Sequence, residues 1–266
     1  MSTSNDSDLP SFDTSEFKYT QPPQPSWTFG QPITSTEEGR KWAEQEKEGW
    51  KSFDISAENP RFMYSLCTSG IAPRPVAFVS TIAENGDENL APFSWFNQVS
   101  AFPSVISVSC LAIPRHKDTA SNIKATKGFT VNIISEPWVA HANSCSIDAP
   151  PGVSEWALSG LTREPSISVK PARVKESAFA LECELLQIVD IKNDAGAITT
   201  NLILGSVKYV HVRKAVLNDK GTIDPAKLMP VARMGDTTFV TVKDGFRIPR
   251  PVWADEKETI ENLALL

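Results

Sequence analysis

Histidine and cysteine are scarce in this chain, and neither is grouped: three histidines and four cysteines are spread over 266 residues. Cys67, Cys110, Cys145 and Cys183 contain no CxxC pair, and His116, His141 and His211 contain no HxxxH or HExxH pair. A zinc site lacks the ligand spacing it needs, so no metal is expected. The cysteines are read as buried free thiols in a reducing compartment, which makes the expected location cytoplasmic. Basic clusters are also missing. The net charge of −6 carries no concentrated run of Lys and Arg, and neutralising phosphates along a nucleic acid requires one. No apolar run approaches the roughly 20 residues that cross a bilayer. The opening MSTSNDSDLP has neither a basic n-region nor an apolar h-region, so neither a membrane anchor nor a secretory signal is expected. GxSxG, GxxxxGK[ST] and GxGxxG are absent. Acyl-hydrolase, P-loop and Rossmann chemistry therefore lack their usual signals.

What remains is a chain able to bury one sizeable core, since single all-β barrels run to roughly 200–250 residues. Twenty prolines against thirteen glycines point to long ordered connections. Residues 1–35, rich in Ser, Thr, Pro and Gln, read as a flexible or draped tail. Residues 36–60 read as a helix and linker. Ser35-Thr36-Glu37-Glu38 matches a capping box, Glu37 and Lys41 are spaced for an ion pair, and Trp42 and Trp50 share a face expected to dock on the main body. The globular domain is expected over 61–245. Residues 246–266 follow as an extended, proline-stiffened arm with an acidic tail.

Strand signals dominate the domain. Val76–Ile82 is an apolar run followed by the turn dipeptide Asn85-Gly86. Further strands are expected over 104–113, 129–134, 198–212 and 237–242, and Phe179 to Leu185 alternates apolar and polar residues with period two. Helices are expected only over 118–127 and 136–145. A mainly β fold follows: a closed antiparallel barrel with helical insertions, not a doubly wound sheet.

Two stretches carry chemistry. Ile71–Ser100 reads as two extended segments, with Ser80-Thr81 facing Ser94-Trp95-Phe96-Asn97 across a hairpin. Such a surface, apolar and edged with donors, suits a planar heteroaromatic ring such as a flavin; the alternative places Trp95 and Phe96 in the core. Arg115-His116-Lys117-Asp118-Thr119 stands where a strand meets a helix. Asp118 or Thr119 can cap that helix, leaving N–H groups, two cations and a hydroxyl to hold a phosphate. The alternative is an ordinary capped helix with solvated basic neighbours. His116 reads as a third electrostatic contact, His141 as a satisfied structural histidine and His211 as lying on an exposed strand face.

Together these stretches resemble the flavin reductase-like family of FMN-binding split barrels. The resemblance lies in PRPVAFVST, NLAPFSWFNQVS, KDTASNI, VNIIS, IDAPPGVSEWALSGL, VKPARVKES, LGSVKYVHV and ARMGD, and spans roughly residues 60–250. Two departures stand out. ARMGDTTFV replaces the family's usual Arg-Leu-Gly-Gly with its nearby Tyr, and Trp95 replaces a commoner Phe or Tyr. The resemblance implies FMN at the interface of a homodimer, the commonest closed form. It places Ser80 and Thr81 on the ring edge or ribityl chain, and Ala91, Pro92, Ser94, Trp95, Phe96 and Asn97 along the ring. Arg115, Lys117 and Thr119 would hold the phosphate, with Asp118 as helix cap and His116 beside them. Arg74 and Arg233 would border the cofactor, and Glu155 and Trp156 would belong to a loop over the mouth. Arg74 could instead pin a loop through carbonyl contacts, and Glu155 and Trp156 could be a helix cap and a core anchor.

A flavin carries the difficult chemistry itself, so the missing triads cost nothing. The leading expectation is hydride transfer from NAD(P)H to FMN, with electrons passed to a second acceptor or to oxygen. An FMN-dependent oxidase or oxygenase of a small organic substrate in specialised metabolism is the alternative. A non-catalytic FMN-binding protein is the third.

Overall fold

A computed structural model describes residues 9–150 and 152–264. Its chain divides into two compact units, Ser65–Val242 and a second formed by the segments on either side.

Strand β1 (Lys18–Thr20) and helix α1 (Glu37–Glu44) come first. Thr36 caps α1, its Oγ1 accepting from Gly39 N at 3.0 Å, and Lys41 pairs with Glu37 at 2.6 Å. The helix stops earlier than its sequence suggests. A 3-10 turn at Gln45–Glu48 ends on Gly49 in the left-handed region, φ 78°, a common way to terminate a helix. Trp50 is thus off the helix, and Trp42 and Trp50 stand 68% and 89% exposed instead of forming a shared buried face.

The chain continues through α2 (Pro60–Gly70), β2 (Arg74–Pro75), β3 (Ala77–Ile82), β4 (Glu88–Phe93), β5 (Phe96–Ser100) and β6 (Val105–Leu111). Helix α3 (Asp118–Thr126) and strand β7 (Gly128–Ile133) precede α4 (Val139–Ser144) and α5 (Glu155–Ser159). Short strands β8 (Arg163–Glu164) and β9 (Arg173–Val174) lead to the long hairpin of β10 (Phe179–Lys192) and β11 (Ile198–Val212). Helix α6 (Pro225–Leu228), β12 (Val231–Arg233), β13 (Phe239–Thr241), β14 (Asp244–Phe246) and α7 (Trp253–Ala264) complete the described chain.

In the unit Ser65–Val242, seven antiparallel strands form one sheet in the order β4-β3-β7-β10-β11-β6-β5. The closed barrel expected from the strand count is not formed as a continuous ladder, because β4 and β5 are both edges. Yet only Ser94 and Trp95 separate these edges in sequence, and a residue spans at most about 3.6 Å. The sheet therefore curls until its two ends nearly meet. Ala77 and Val79 of β3, Phe129 and Val131 of β7, Cys183 and Ile203 pack inside the curl. Val76, Phe78 and Leu90 face the other way and pack with Trp138, Ala142 and Trp156 from the α4–α5 region. Because β3 is covered on both faces, its residues 77–81 are all buried and its apolar residues do not alternate with exposed ones. Gly205 of β11 lies against the Phe129 ring, and any Cβ there would overlap it.

Buried Glu182 of β10 accepts hydrogen bonds from Ile167 N at 2.8 Å, Ser168 N at 2.6 Å and Ser168 Oγ at 2.8 Å, and pairs with His211 Nε2 at 2.7 Å. His211 is therefore a partly buried partner, not the exposed strand residue expected. Its neighbour across the hairpin is fixed by the pairing of Ala180 with His211. His141 does act structurally, with Nδ1 at 2.8 Å from the Ser159 carbonyl. Three cysteines are buried and Cys67 is exposed, a departure from the expectation of four buried thiols.

In the second unit, β1 pairs in parallel with β14, Lys18 opposite Asp244 and Thr20 opposite Phe246. The stretch expected as a flexible tail thus contributes a strand at 18–20; its first eight residues lie outside the described ones. The acidic tail that follows the proline-stiffened arm forms helix α7.

Candidate functional site

The junction between β6 and α3 opens onto a cleft of about 130 Å³, with Ala91, Pro92 and Phe93 on one side and Arg115, Lys117 and Thr119 on the other. β4 supplies the apolar wall. Pro92 is tolerated there because an edge strand leaves one row of N–H groups unused, and β4 pairs only with β3.

The cationic wall is built differently from its expectation. Lys117, not Asp118 or Thr119, occupies the N-cap position of α3, in extended backbone and with no side-chain cap bond. Asp118 turns back to Arg115, Oδ1 lying 3.1 Å from Nη1. Thr119 is buried, and its Oγ1 accepts from Asn89 Nδ2 at 2.9 Å. A start of α3 without a side-chain cap presents N–H groups and the positive end of the helix dipole beside two full cations.

A carboxylate already sits among these cations. Asp148 Oδ1 lies 3.2 Å from Lys117 Nζ and 3.4 Å from Arg115 Nη2, while Arg115 Nη2 also donates to the Ala149 carbonyl at 2.8 Å. The Lys117 hydrogen bond and charge, then the Arg115 charge, hold the Asp148 carboxyl below its ordinary range. Glu155 is buried at the cleft wall, where its Oε2 accepts from Leu90 N at 3.0 Å and fixes β4. Cys145 also borders the cleft. Burial pushes its thiol up to about 11, so it stays protonated and is no nucleophile near neutrality.

Several expected site residues lie elsewhere. Ser80 and Thr81 are fully buried in β3, Thr81 Oγ1 accepting from Asn122 Nδ2 at 3.1 Å, and they do not line the cleft. The hairpin register pairs them with Leu90 and Asn89, not with residues 94–97. Those four belong to the crossing between the sheet edges and to β5. Ser94 Oγ accepts from Arg74 Nε at 3.4 Å, Phe96 packs on the inner core, Asn97 Oδ1 accepts from Gln98 N at 2.9 Å, and the Trp95 carbonyl accepts from Ser109 N at 2.9 Å.

Arg74 donates to the carbonyls of Thr68, Ile71 and Met234, which makes it a loop pin. Arg233 donates to the Asp236 and Thr237 carbonyls and stacks on Phe239 with 4.6 Å to the ring centroid. Neither arginine borders the cleft. His116 does not line the cleft, and its Nδ1 lies 3.0 Å from Asn201 Oδ1. Trp156 is a core anchor at 2% exposure, not part of a mouth loop. Asn89 and Asp148 join the site without a sequence signal of their own. Asn89 opens the NLAPFSWFNQVS stretch, two residues before Ala91, and Asp148 lies in IDAPPGVSEWALSGL, but nothing local pairs either with residues 117–119.

The donor set suits a phosphate monoester. Two cations, a helix start without a side-chain cap and a hydroxyl converge beside an apolar strip, and the volume fits one end of a ligand, since whole-ligand pockets run to about 300–1,000 Å³. No group of three or more His, Cys, Asp or Glu able to hold a metal occurs among the described residues.

A curled antiparallel sheet with a cationic strand–helix junction against an apolar edge strand defines the class: a β protein with a cleft whose donors suit an anionic, partly apolar ligand. The chain belongs to the flavin reductase like domain family, which it matches over residues 69–227, and it is a flavin-dependent oxidoreductase that binds flavin. A protein of Halalkalibacterium halodurans is 33% identical over 197 residues, covering 73% of this chain and 94% of that one. The structure of nitrilotriacetate monooxygenase component B from Bacillus cereus is similar with a TM-score of 0.72 and 31% identity, over 75% of this chain and 99% of that chain. A Shewanella frigidimarina protein with a split barrel domain shares the fold at a TM-score of 0.66 and 21% identity, over 76% of this chain and 100% of that one.

Proposed function

We propose that the protein is an NAD(P)H-dependent FMN reductase whose curled sheet is a split barrel, and that it passes electrons to a second acceptor or to oxygen. The convergence of Arg115, Lys117 and the start of α3 on one cleft beside Ala91-Pro92-Phe93 carries this reading. Arg115 and Lys117 would neutralise the FMN phosphate, and the Thr119 hydroxyl, fixed by Asn89, would shape its seat. Residues 91–93 would lie beside the ribityl chain and ring, and Glu155 holds that strand in place through Leu90 N. A bound flavin would supply the redox chemistry, accepting a hydride and releasing electrons; the chain's residues bind, orient and exclude water.

The likeness to a component of a nitrilotriacetate monooxygenase supports delivery to a separate acceptor, because a component acts as part of a larger system. Purified protein saturated with FMN under anaerobic conditions should lose its visible flavin band within seconds of adding NADH or NADPH. A band that persists with both nicotinamides would refute the reductase reading.

A further inference from the structure

We infer that Asp148 is an internal competitor for the anion site, one that makes phosphorylated flavin exchangeable rather than permanently held. The inference rests on the FMN reading above. A single oxygen, Asp148 Oδ1, bridges Lys117 Nζ at 3.2 Å and Arg115 Nη2 at 3.4 Å. That is where a phosphate oxygen must sit to be held by both cations. Arg115 also contacts Asp118 Oδ1 at 3.1 Å, so two carboxylates share it.

The two carboxylates are not equivalent. The Asp118 side chain is 35% exposed and belongs to the first residue of α3, three residues from the arginine it pairs with. The Asp148 side chain is 66% exposed and lies on the connection between α4 and α5. It can swing into water while the Ala149 carbonyl keeps its bond to Arg115. A phosphate monoester brings roughly −1.5 to −2 charges and three acceptor oxygens against one carboxylate charge. It therefore displaces Asp148 but loses part of its affinity in doing so, and the returning carboxylate speeds its departure. Riboflavin, which lacks the phosphate, has nothing to displace.

The test measures dissociation constants and release rates of FMN and riboflavin by flavin fluorescence for the full-length protein, Asp148→Asn and Asp87→Asn. Asp87 is a nearby carboxylate with no ion pair to either cation, and it controls for overall charge. In Asp148→Asn, FMN should bind roughly three- to tenfold tighter, the scale of losing one exposed bridge to each cation, mostly through slower release. Riboflavin should change less than twofold. Unchanged FMN binding in Asp148→Asn, an equal gain for riboflavin, or an equal gain in Asp87→Asn would each overturn the inference while leaving the FMN reading intact. FMN binding to none of the three proteins would overturn both.

Discussion

Arg115 and Lys117 are separated by one residue and both reach the Asp148 carboxylate, while His116 between them bonds Asn201 instead. This is why a five-residue motif can make an anion seat, and why one of its three basic residues takes no part. Replacing Lys117 by Ala removes a charge-assisted contact of about 1.5–3 kcal/mol, so FMN affinity should fall at least tenfold, read by fluorescence titration. Riboflavin binding should be spared.

Glu182 makes a second residue-scale argument. Burial raises its carboxyl, but the donors from Ile167, Ser168 and His211 outweigh that cost and bring it down to about 2, below its ordinary 4.5. A carboxyl lowered in the folded state contributes stability above about pH 4.5 that is lost progressively as pH falls toward 2. Thermal stability should therefore fall steeply as the pH drops through that window. Glu182→Gln should be less stable at neutral pH, by about 1–3 kcal/mol, and its melting temperature should depend less on pH below 4.5. An unaltered acid profile in the variant would count against this account.

At the scale of elements, β3 explains both a success and an error. Its apolar run is legible as a strand, yet a run covered on both faces says nothing about which neighbour covers which side. Ser80 and Thr81 look like ligand contacts in sequence because they are polar within that run. In the structure Thr81 bonds Asn122 of α3, 41 residues away. Helix α1 carries the same lesson. Its cap and ion pair are local and form as read, whereas the Trp42–Trp50 stripe required a helix longer than Gly49 permits. The β10–β11 hairpin depends on Gly205 lying against Phe129. Gly205→Ala should overpack that contact and cost about 1–3 kcal/mol, measurable by urea unfolding.

For the whole molecule, apolar residues remain uncovered on the hairpin and near β5. Leu186, Val189 and Ile191 are 57%, 39% and 45% exposed, and Phe102 is 98% exposed. We propose that a twofold homodimer covers them, since removing apolar surface from water favours association. Light scattering should give twice the chain mass, and Ile191→Arg together with Phe102→Asp should shift it toward the monomer. Thiol accessibility offers an independent check: native protein should react rapidly with a maleimide at exposed Cys67. Cys110, whose thiol burial pushes up to about 12, and Cys183 should react only on unfolding.

The sequence alone determined what depends on near neighbours: the strands with their turns, the cap of α1, and the cluster from Arg115 to Thr119 with its chemistry. Backbone preference and side-chain period act over a few residues, and these features need nothing further. Tertiary structure decided what depends on distant partners. It brought Asn89 and Asp148 to that cluster, buried Ser80 and Thr81, tied Arg74 to the Met234 carbonyl and curled the sheet until its edges faced each other. Contacts between residues 30 or more positions apart are set by how whole elements pack, and no local pattern encodes them.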